Sequence, residues 1–546
     1  MNRLVSKMGW EIVKEEWPDF KGEIFKNRPK NVVELLENTV KKFPNKVGFI
    51  YGDGRLTFRE FDTIVNKIAA GLEKHGVKPG DHVAVLLGIQ IEFPLSFFAL
   101  MKLGAIIVPL NTRFKGGELA YEINDSESKM LIVDEEYWPF IDSVKGQLKR
   151  VEKIFFNGPE APGGTLPFSL LRENRGDVFK RAEVLESDHA AIMYTSGTTG
   201  KPKGAILHQR GFVITAMLVS DFIQFQPEDK IICCVPLFHI TGLSCVMLAP
   251  IFTGVACVYM RQFKTKEFLE IVAKEKVTQY MGVINVIWLM VNHLDFDQYD
   301  FSSFKTALFG GSPAAEEMVR GIFNKLPHLQ ISVGYGLTEC FAMTTTIPYE
   351  DALRKIKTVG QCLPTMEAKI VDDEGNEMPT GAIGEILLAG AKTFKGYWKN
   401  PEATRQTIVE GWIHTGDIGK IDEEGFIYIL DRKKDMINRG GEKIYSLEVE
   451  NVICDNPKVL EVAVVGVPDP VMGEVVKACI ALKPGENATE GEIKQFCAKH
   501  LADYKVPKFV EFMPSLPRNP AGKVSKPELR YVPDEGSGAG TRSSVS

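Results

Sequence analysis

Nine cysteines among 546 residues include no C-x-x-C pair, and Cys233 and Cys234 are the only adjacent two. An odd number scattered so widely is neither a disulfide framework nor a structural zinc site, so a reducing compartment, the cytoplasm, is the expected location. Basic charge is not in excess, with 65 Lys and Arg against 71 Asp and Glu, net −6. The broad positive field of a non-specific nucleic-acid binder is therefore missing. The opening MNRLVSKMGWEIVKEEWPDF is charged throughout and has no apolar h-region, so it does not read as a secretory signal. Long apolar runs are lacking too. The charge-free stretch from Gly242 to Met260 is broken by Pro250 and Gly254. It reads as a core helix followed by a core strand, not as a transmembrane segment.

What is present is an ordinary globular composition, 44% hydrophobic and 25% charged, in a chain long enough for roughly three or four folding units. Helical spacing joins Val32, Leu35, Leu36, Val40 and Phe43, and Thr57-x-x-Glu60 is a capping box opening a helix through Ala69 and Leu72. Strand and helix patterns then alternate: His82–Leu87, Glu92–Leu103, Ala105–Pro109, Glu118–Ile123, Met130–Val133. Continuous apolar strands separated by helices predict parallel sheet covered on both faces. The pattern resumes at Ala190–Tyr194, Lys230–Val235, Thr278–Gly282 and Thr306–Phe309. From about 365 to 430 the strands are short and turn-rich, which predicts an antiparallel subdomain. Beyond Asp431 a smaller α+β pattern follows, with strands at Val462–Gly466, Val475–Leu482 and Phe509–Phe512 and a helix capped by Thr489-x-x-Glu492. The fold class is thus α/β, with a large N-terminal domain of parallel and mixed sheets and a small α+β C-terminal domain. The final GSGAGTRSSVS, residues 536–546, is expected to be disordered.

The strongest local signal is Tyr194-Thr-Ser-Gly-Thr-Thr-Gly-Lys-Pro-Lys-Gly204, in which three glycines and four hydroxyls follow an apolar strand. Glycine lets backbone N–H groups approach phosphate, the hydroxyls add donors, and Lys203 adds positive charge. The spacing is not that of a Walker P-loop.

This segment resembles the phosphate loop of the adenylate-forming superfamily, and the resemblance continues in order along most of the chain. Pro236-Leu-Phe-His-Ile-Thr-Gly242 is similar to the family's acyl-pocket segment, and Gly310-Gly-Ser-Pro313 and Val333-Gly-Tyr-Gly-Leu-Thr-Glu339 to its adenine and acyl-site motifs. Trp412-Ile-His-Thr-Gly-Asp417 and Asp431-Arg432 resemble the segments supplying the ribose-binding pair. Arg439-Gly-Gly-Glu-Lys-Ile-Tyr-Ser-Leu-Glu-Val-Glu450 resembles the thioester-forming loop, and Pro517-Arg-Asn-Pro-Ala-Gly-Lys523 the catalytic-lysine loop.

The resemblance implies an acyl-CoA synthetase of the fatty-acid or aryl-CoA ligase branch, with ATP, Mg2+ and coenzyme A as cofactor and co-substrates. Thr195, Ser196, Gly197, Thr198, Thr199, Gly200 and Lys203 are implied at the phosphates, and Gly311, Ser312, Gly334, Tyr335, Gly336 and Thr338 at the nucleotide. Asp417 and Arg432 are implied at the ribose, Glu339 at Mg2+, Phe238, His239 and Gly336 at the acyl pocket, and Gly440 and Gly441 at CoA. Lys523, His239 and Glu339 would be catalytic. Lys434 holds the place two residues after the ribose-binding arginine where some relatives carry aspartate, and it is taken as the pivot.

The expected division is an adenylation domain over 1–431, a hinge at 432–436 and a C-terminal domain over 437–535. Acetate-activating relatives carry Trp where Gly336 stands, which implies an open pocket and acids of about six carbons or more: medium-chain fatty, alicyclic or aromatic. The alternatives are a CoA-independent adenylating enzyme and a luciferase-like oxygenase. A homodimer, the commonest assembly of soluble chains, is carried alongside.

Overall fold

The computed structural model describes residues 4–17, 20–195, 201–311, 315–518 and 524–531; the terminal segment from 536 lies outside them. Two helices begin at capping boxes written in the sequence. Thr57 Oγ1 accepts from the backbone N–H of Glu60 (3.2 Å), while Glu60 Oε2 accepts from that of Thr57 (2.8 Å). Two orphan donors are thereby satisfied, and helix Phe58–Lys74 starts with Phe58, Phe61, Val65, Ile68 and Leu72 on its buried face. Thr489 and Glu492 repeat the device at helix Glu490–His500.

By the proximity of its Cα atoms the chain divides into two units. The first comprises residues 1–368, 387–414 and 424–426, and the second residues 369–386, 415–423 and 427–546. Part of the turn-rich antiparallel stretch, assigned from the sequence to the N-terminal portion, thus groups with the C-terminal residues.

The first unit holds two large sheets. One has seven strands in the order Lys203–His208, His189–Thr195, Ile106–Pro109, His82–Leu86, Met130–Asp134, Lys153–Asn157, Leu166–Pro167. All its pairs are parallel except the outermost, Lys203–His208 against His189–Thr195. The nine-stranded sheet has a parallel centre (Gln330–Leu337, Thr306–Phe309, Gln279–Gly282, Lys230–Cys233, Ala256–Tyr259, Val47–Tyr51) with antiparallel strands at both edges. Every residue of helix Gln209–Ile223 is buried, as expected of a helix between packed layers.

The Gly242–Met260 stretch is core, as predicted, but its helix is not regular. A π-helix over Thr241–Leu248 leads into the α-helix Ala249–Thr253, where Pro250 has no N–H to give to the preceding turn. Strand Ala256–Tyr259 follows. Among the described residues no helix is long and apolar enough to cross a membrane. An N-terminal hairpin, Ile12–Trp17 against Phe20–Phe25, was not anticipated; its strands interleave charges with apolar residues without a clean period of two.

In the second unit, strands Glu442–Ile444, Ile437–Arg439, Gly473–Leu482 and Val459–Asp469 form an antiparallel sheet, and Phe509–Phe512 joins Gly473–Leu482 in parallel. Ile437, Ile444, Val449, Ile453, Val464 and Ile480 make its core.

Candidate active site

Strand His189–Thr195 returns antiparallel as Lys203–His208, with Tyr194 opposite Gly204 and Thr195 opposite Lys203. The connecting Ser196, Gly197, Thr198, Thr199 and Gly200 lie outside the described residues. The stem is held firmly: Thr195 Oγ1 donates to the Lys203 carbonyl (3.3 Å) and the Tyr194 hydroxyl to Asp125 Oδ2 (2.7 Å). Lys203 Nζ stands over the ring of Tyr397, 4.7 Å from its centroid, a distance suited to cation–π attraction.

Tyr397, absent from the sequence motifs, links Lys203 to Glu339. Its hydroxyl donates to Glu339 Oε1 (2.7 Å), and the Phe394 N–H donates to the Glu339 carbonyl (2.9 Å). Burial and the Glu339 charge push the Tyr397 hydroxyl pKa well up, so it stays a donor. Lys203, Tyr397 and Glu339 thus form a line of cation, aromatic ring and carboxylate in the first unit. A tyrosine after Gly396, whose φ of +119° turns the chain, was the signal available in Lys395-Gly-Tyr-Trp398.

Glu339 lies in the short 3-10 turn Thr338–Cys340 that joins strands Gln330–Leu337 and Ala342–Thr346. Among the described residues no three His, Cys, Asp or Glu side chains could together hold a metal ion. Mg2+ is commonly held by one or two carboxylates plus substrate phosphates, and Glu339, a hard oxygen donor that shares Tyr397 with Lys203, fits that use.

Backbone proximity explains the neighbouring glycines. A Cβ on Gly310 would stand 3.1 Å from the Gly334 carbonyl oxygen, and Gly311 has φ +81°. Ser312 lies outside the described residues. Tyr335 is half-buried opposite Thr345, just before a bulge in the ladder. Gly336 requires a correction. A Cβ there would meet the Ala342 carbonyl oxygen at 1.6 Å. The space expected to be open pocket is occupied by the facing strand, and the glycine serves backbone approach.

In the second unit, Asp417 and Arg432 face each other across the ladder, and Arg432 Nε stands 3.2 Å from Asp417 Oδ1. Asp417 is buried, whereas the arginine side chain is 44% exposed. The sequence-predicted ribose pair is therefore brought together. Glu385, not singled out from sequence, braces it: Oε1 accepts from the Gly416 N–H (3.1 Å), and Oε2 lies 3.4 Å from Lys433 Nζ. Both contacts fall on immediate neighbours of the pair.

The remaining predicted residues occupy local settings. His239 Nδ1 accepts from the Thr241 N–H (3.3 Å) at the entry to the π-helix, and Phe238 precedes it, half-buried. Gly440 and Gly441, with φ of +60° and +97°, form the two-residue turn of hairpin Ile437–Arg439/Glu442–Ile444. Positive φ at both positions is what a type I′ turn needs, so the turn alone accounts for the pair. The Lys434 carbonyl accepts from Arg530 Nη2 (3.0 Å), and burial lowers the Lys434 pKa. Lys523 lies outside the described residues.

Comparison with known proteins adds three findings. A family model described as AMP-binding enzyme matches residues 36–398, and one described as AMP-binding enzyme C-terminal domain matches residues 448–523. The chain is 33% identical over 525 residues to the putative acyl-CoA synthetase YngI of Bacillus subtilis (strain 168), covering 91% of this chain and 96% of that one. It is 34% identical over 510 residues to the long-chain-fatty-acid–CoA ligase FadD13 of Mycobacterium tuberculosis (strain ATCC 25618 / H37Rv), covering 92% and 98%. Among solved structures, the anthranilate CoA ligase AuaEII in complex with anthranoyl-AMP superposes with a TM-score of 0.85 at 29% identity, covering 91% and 96% of the two chains.

Proposed function

Because this chain belongs to the AMP-binding enzyme family, in the acyl-CoA synthetase branch of the adenylate-forming enzymes, we propose a division of labour among its residues for the two-step reaction of that branch. It is an AMP-forming acid–thiol ligase. A carboxylate oxygen attacks the α-phosphorus of ATP, the bond to the β-phosphate oxygen breaks, and pyrophosphate leaves. The CoA sulfur then attacks the acyl carbonyl, AMP leaves with the oxygen it gained, and the thiol proton passes to solvent.

The first step brings anions together, so the protein contributes positioning and neutralising charge. Lys203 and the loop before it hold the phosphates, and Glu339 with Tyr397 faces the metal–phosphate side. Glu339 would hold Mg2+, whose charge would offset the approach of the two anions. Asp417 accepts the ribose hydroxyls and Arg432 donates to them, with Glu385 fixing their backbone. Lys523 neutralises the carboxylate and α-phosphate in the first step. Lys434 is the pivot about which the C-terminal residues turn before the second, which uses the Gly440–Gly441 turn for CoA. His239 stands by the acyl carboxylate.

For the acid we infer an apolar monocarboxylate larger than acetate, a fatty, alicyclic or aromatic acid. The support is that the relatives are named for long-chain fatty acids and for anthranilate. The observation carrying the whole reading is the match of both family models in order along one chain. The test is pyrophosphate release across acetate, hexanoate, decanoate, cyclohexanecarboxylate, benzoate and anthranilate, followed by CoA addition. Acid-dependent pyrophosphate with no thioester would favour a CoA-independent adenylating enzyme, and a preference for acetate would refute the substrate class.

A further inference from the structure

Lys392 is fully buried, and among the described residues it forms no ion pair. Its ammonium instead donates to the carbonyls of Cys340 and Met343, both at 2.6 Å, and reaches Thr344 Oγ1 at 3.4 Å. Three donors thus meet three neutral oxygens. Burying a cation without an anion is costly, so this arrangement calls for a reason. Burial lowers the group's pKa to about 8, which leaves it charged at neutral pH.

The two carbonyls bracket an unusual piece of backbone. Phe341 and Ala342, with φ of +56° and +78°, lie consecutively in the left-handed region. Non-glycine residues enter that region rarely and at a cost, and they persist there when the surroundings over-determine them. Here the bend begins two residues after Glu339, and it places the Ala342 carbonyl in the space beside Gly336. The loop that carries Lys392 also grips Glu339 directly, through the Phe394 N–H to its carbonyl and the Tyr397 hydroxyl to its carboxylate. One loop therefore fixes Glu339 at main chain and side chain and fixes the bend beyond it through Lys392.

We propose that Lys392 is a positioning residue: by clamping the Phe341–Ala342 bend, it orients Glu339 toward the metal–nucleotide complex. The proposal rests on the reading of Glu339 as the metal-side carboxylate. The competing account is that Lys392 only satisfies buried carbonyls and stabilises the fold.

The two accounts separate in the full-length chain carrying Lys392→Met, Glu339→Gln, or both. Mn2+ is titrated in the presence of α,β-methylene-ATP, protein-bound ion is read from its EPR signal, and thermal midpoints are recorded in parallel. Partners behind a metal ligand typically contribute about 10–100-fold in affinity, so Lys392→Met is expected to weaken Mn2+ binding by about that factor. Glu339→Gln should weaken it too, and the double variant should be no weaker than the weaker single, because both act through one carboxylate. A lowered thermal midpoint with wild-type Mn2+ binding in Lys392→Met, or losses that add in the double variant, overturns the proposal alone. Unchanged binding in Glu339→Gln, or no protein-dependent binding in wild type, overturns the reading of Glu339 and the proposal with it. If Lys392→Met does not fold, Lys392→Gln, which keeps a donor, is judged by the same outcomes.

Discussion

Gly336→Ala adds a single methyl group where the facing strand leaves no room. The new Cβ would stand 1.6 Å from the Ala342 carbonyl oxygen, against an ordinary contact of about 3.4 Å. The two backbones must part by nearly 2 Å, and no flexible side chain can absorb the move. Ala342 sits in the left-handed bend whose flanking carbonyls Lys392 holds, so the displacement passes toward Glu339. Overpacking costs about 1–3 kcal/mol, and misplacing a catalytic group by about 1 Å costs on the order of a hundredfold in rate. The expected outcome is a lower thermal midpoint and a fall of about a hundredfold in kcat/KM for adenylation, alike for every acid. Specificity constants from pyrophosphate release with acetate, hexanoate, decanoate and benzoate measure it. Near-wild-type activity, or a ranking shifted toward acetate, would refute the reasoning and return Gly336 to the acyl pocket.

Other perturbations address separate parts of the account. Glu122 is buried and its pKa is raised to about 8 by burial, with Glu118 and Asp125 adding to the rise. Between its ordinary 4.5 and about 8 the folded chain holds a proton that the unfolded chain lacks, so this group's contribution to stability falls as pH rises through that window. Glu122→Gln, equal in shape, should therefore stabilise the protein by up to about 3 kcal/mol at pH 7 and by almost nothing at pH 4; urea unfolding at both pH values checks it, and equal gains would contradict it. Tyr397→Phe keeps the ring under Lys203 but removes a hydrogen bond to a carboxylate worth about 1.5–3 kcal/mol, and adenylation should slow by about tenfold or more. An unchanged rate would show that the Tyr397–Glu339 contact is idle. Lys434→Pro fixes φ near −65° and should spare pyrophosphate exchange while thioester formation collapses; normal turnover would place the pivot elsewhere.

Local chemistry makes much of the architecture legible in the sequence. Capping boxes such as Thr57 with Glu60, and the apolar strands of the parallel sheets, are decided by neighbouring residues, and they formed where expected. Asp417 and Arg432 were legible as motif residues, and their ladder pairing follows from a short hairpin connection. Tyr397 was marked only by the glycine before it, because its partner Glu339 is distant in sequence and only tertiary packing joins them. Lys392 was hidden for the same reason: a single lysine between Ala391 and Thr393 gives no sign of which carbonyls it will meet. Gly336 marks a different limit, since one letter serves an open pocket and a close backbone approach equally well, and only the facing strand decides. The pair Gly440–Gly441 is likewise over-explained, because turn geometry and room for a thiol ask for the same residues.

The central claim is that the acid's own oxygen is transferred to AMP before CoA arrives. Wild-type enzyme is supplied with ATP, CoA and the fastest acid of the panel, its carboxylate labelled with 18O, and the products are separated and weighed by mass spectrometry. The account predicts one labelled oxygen in AMP, none in pyrophosphate, and acyl-CoA in equal amount to AMP. ADP with labelled phosphate, or AMP free of label, would contradict it.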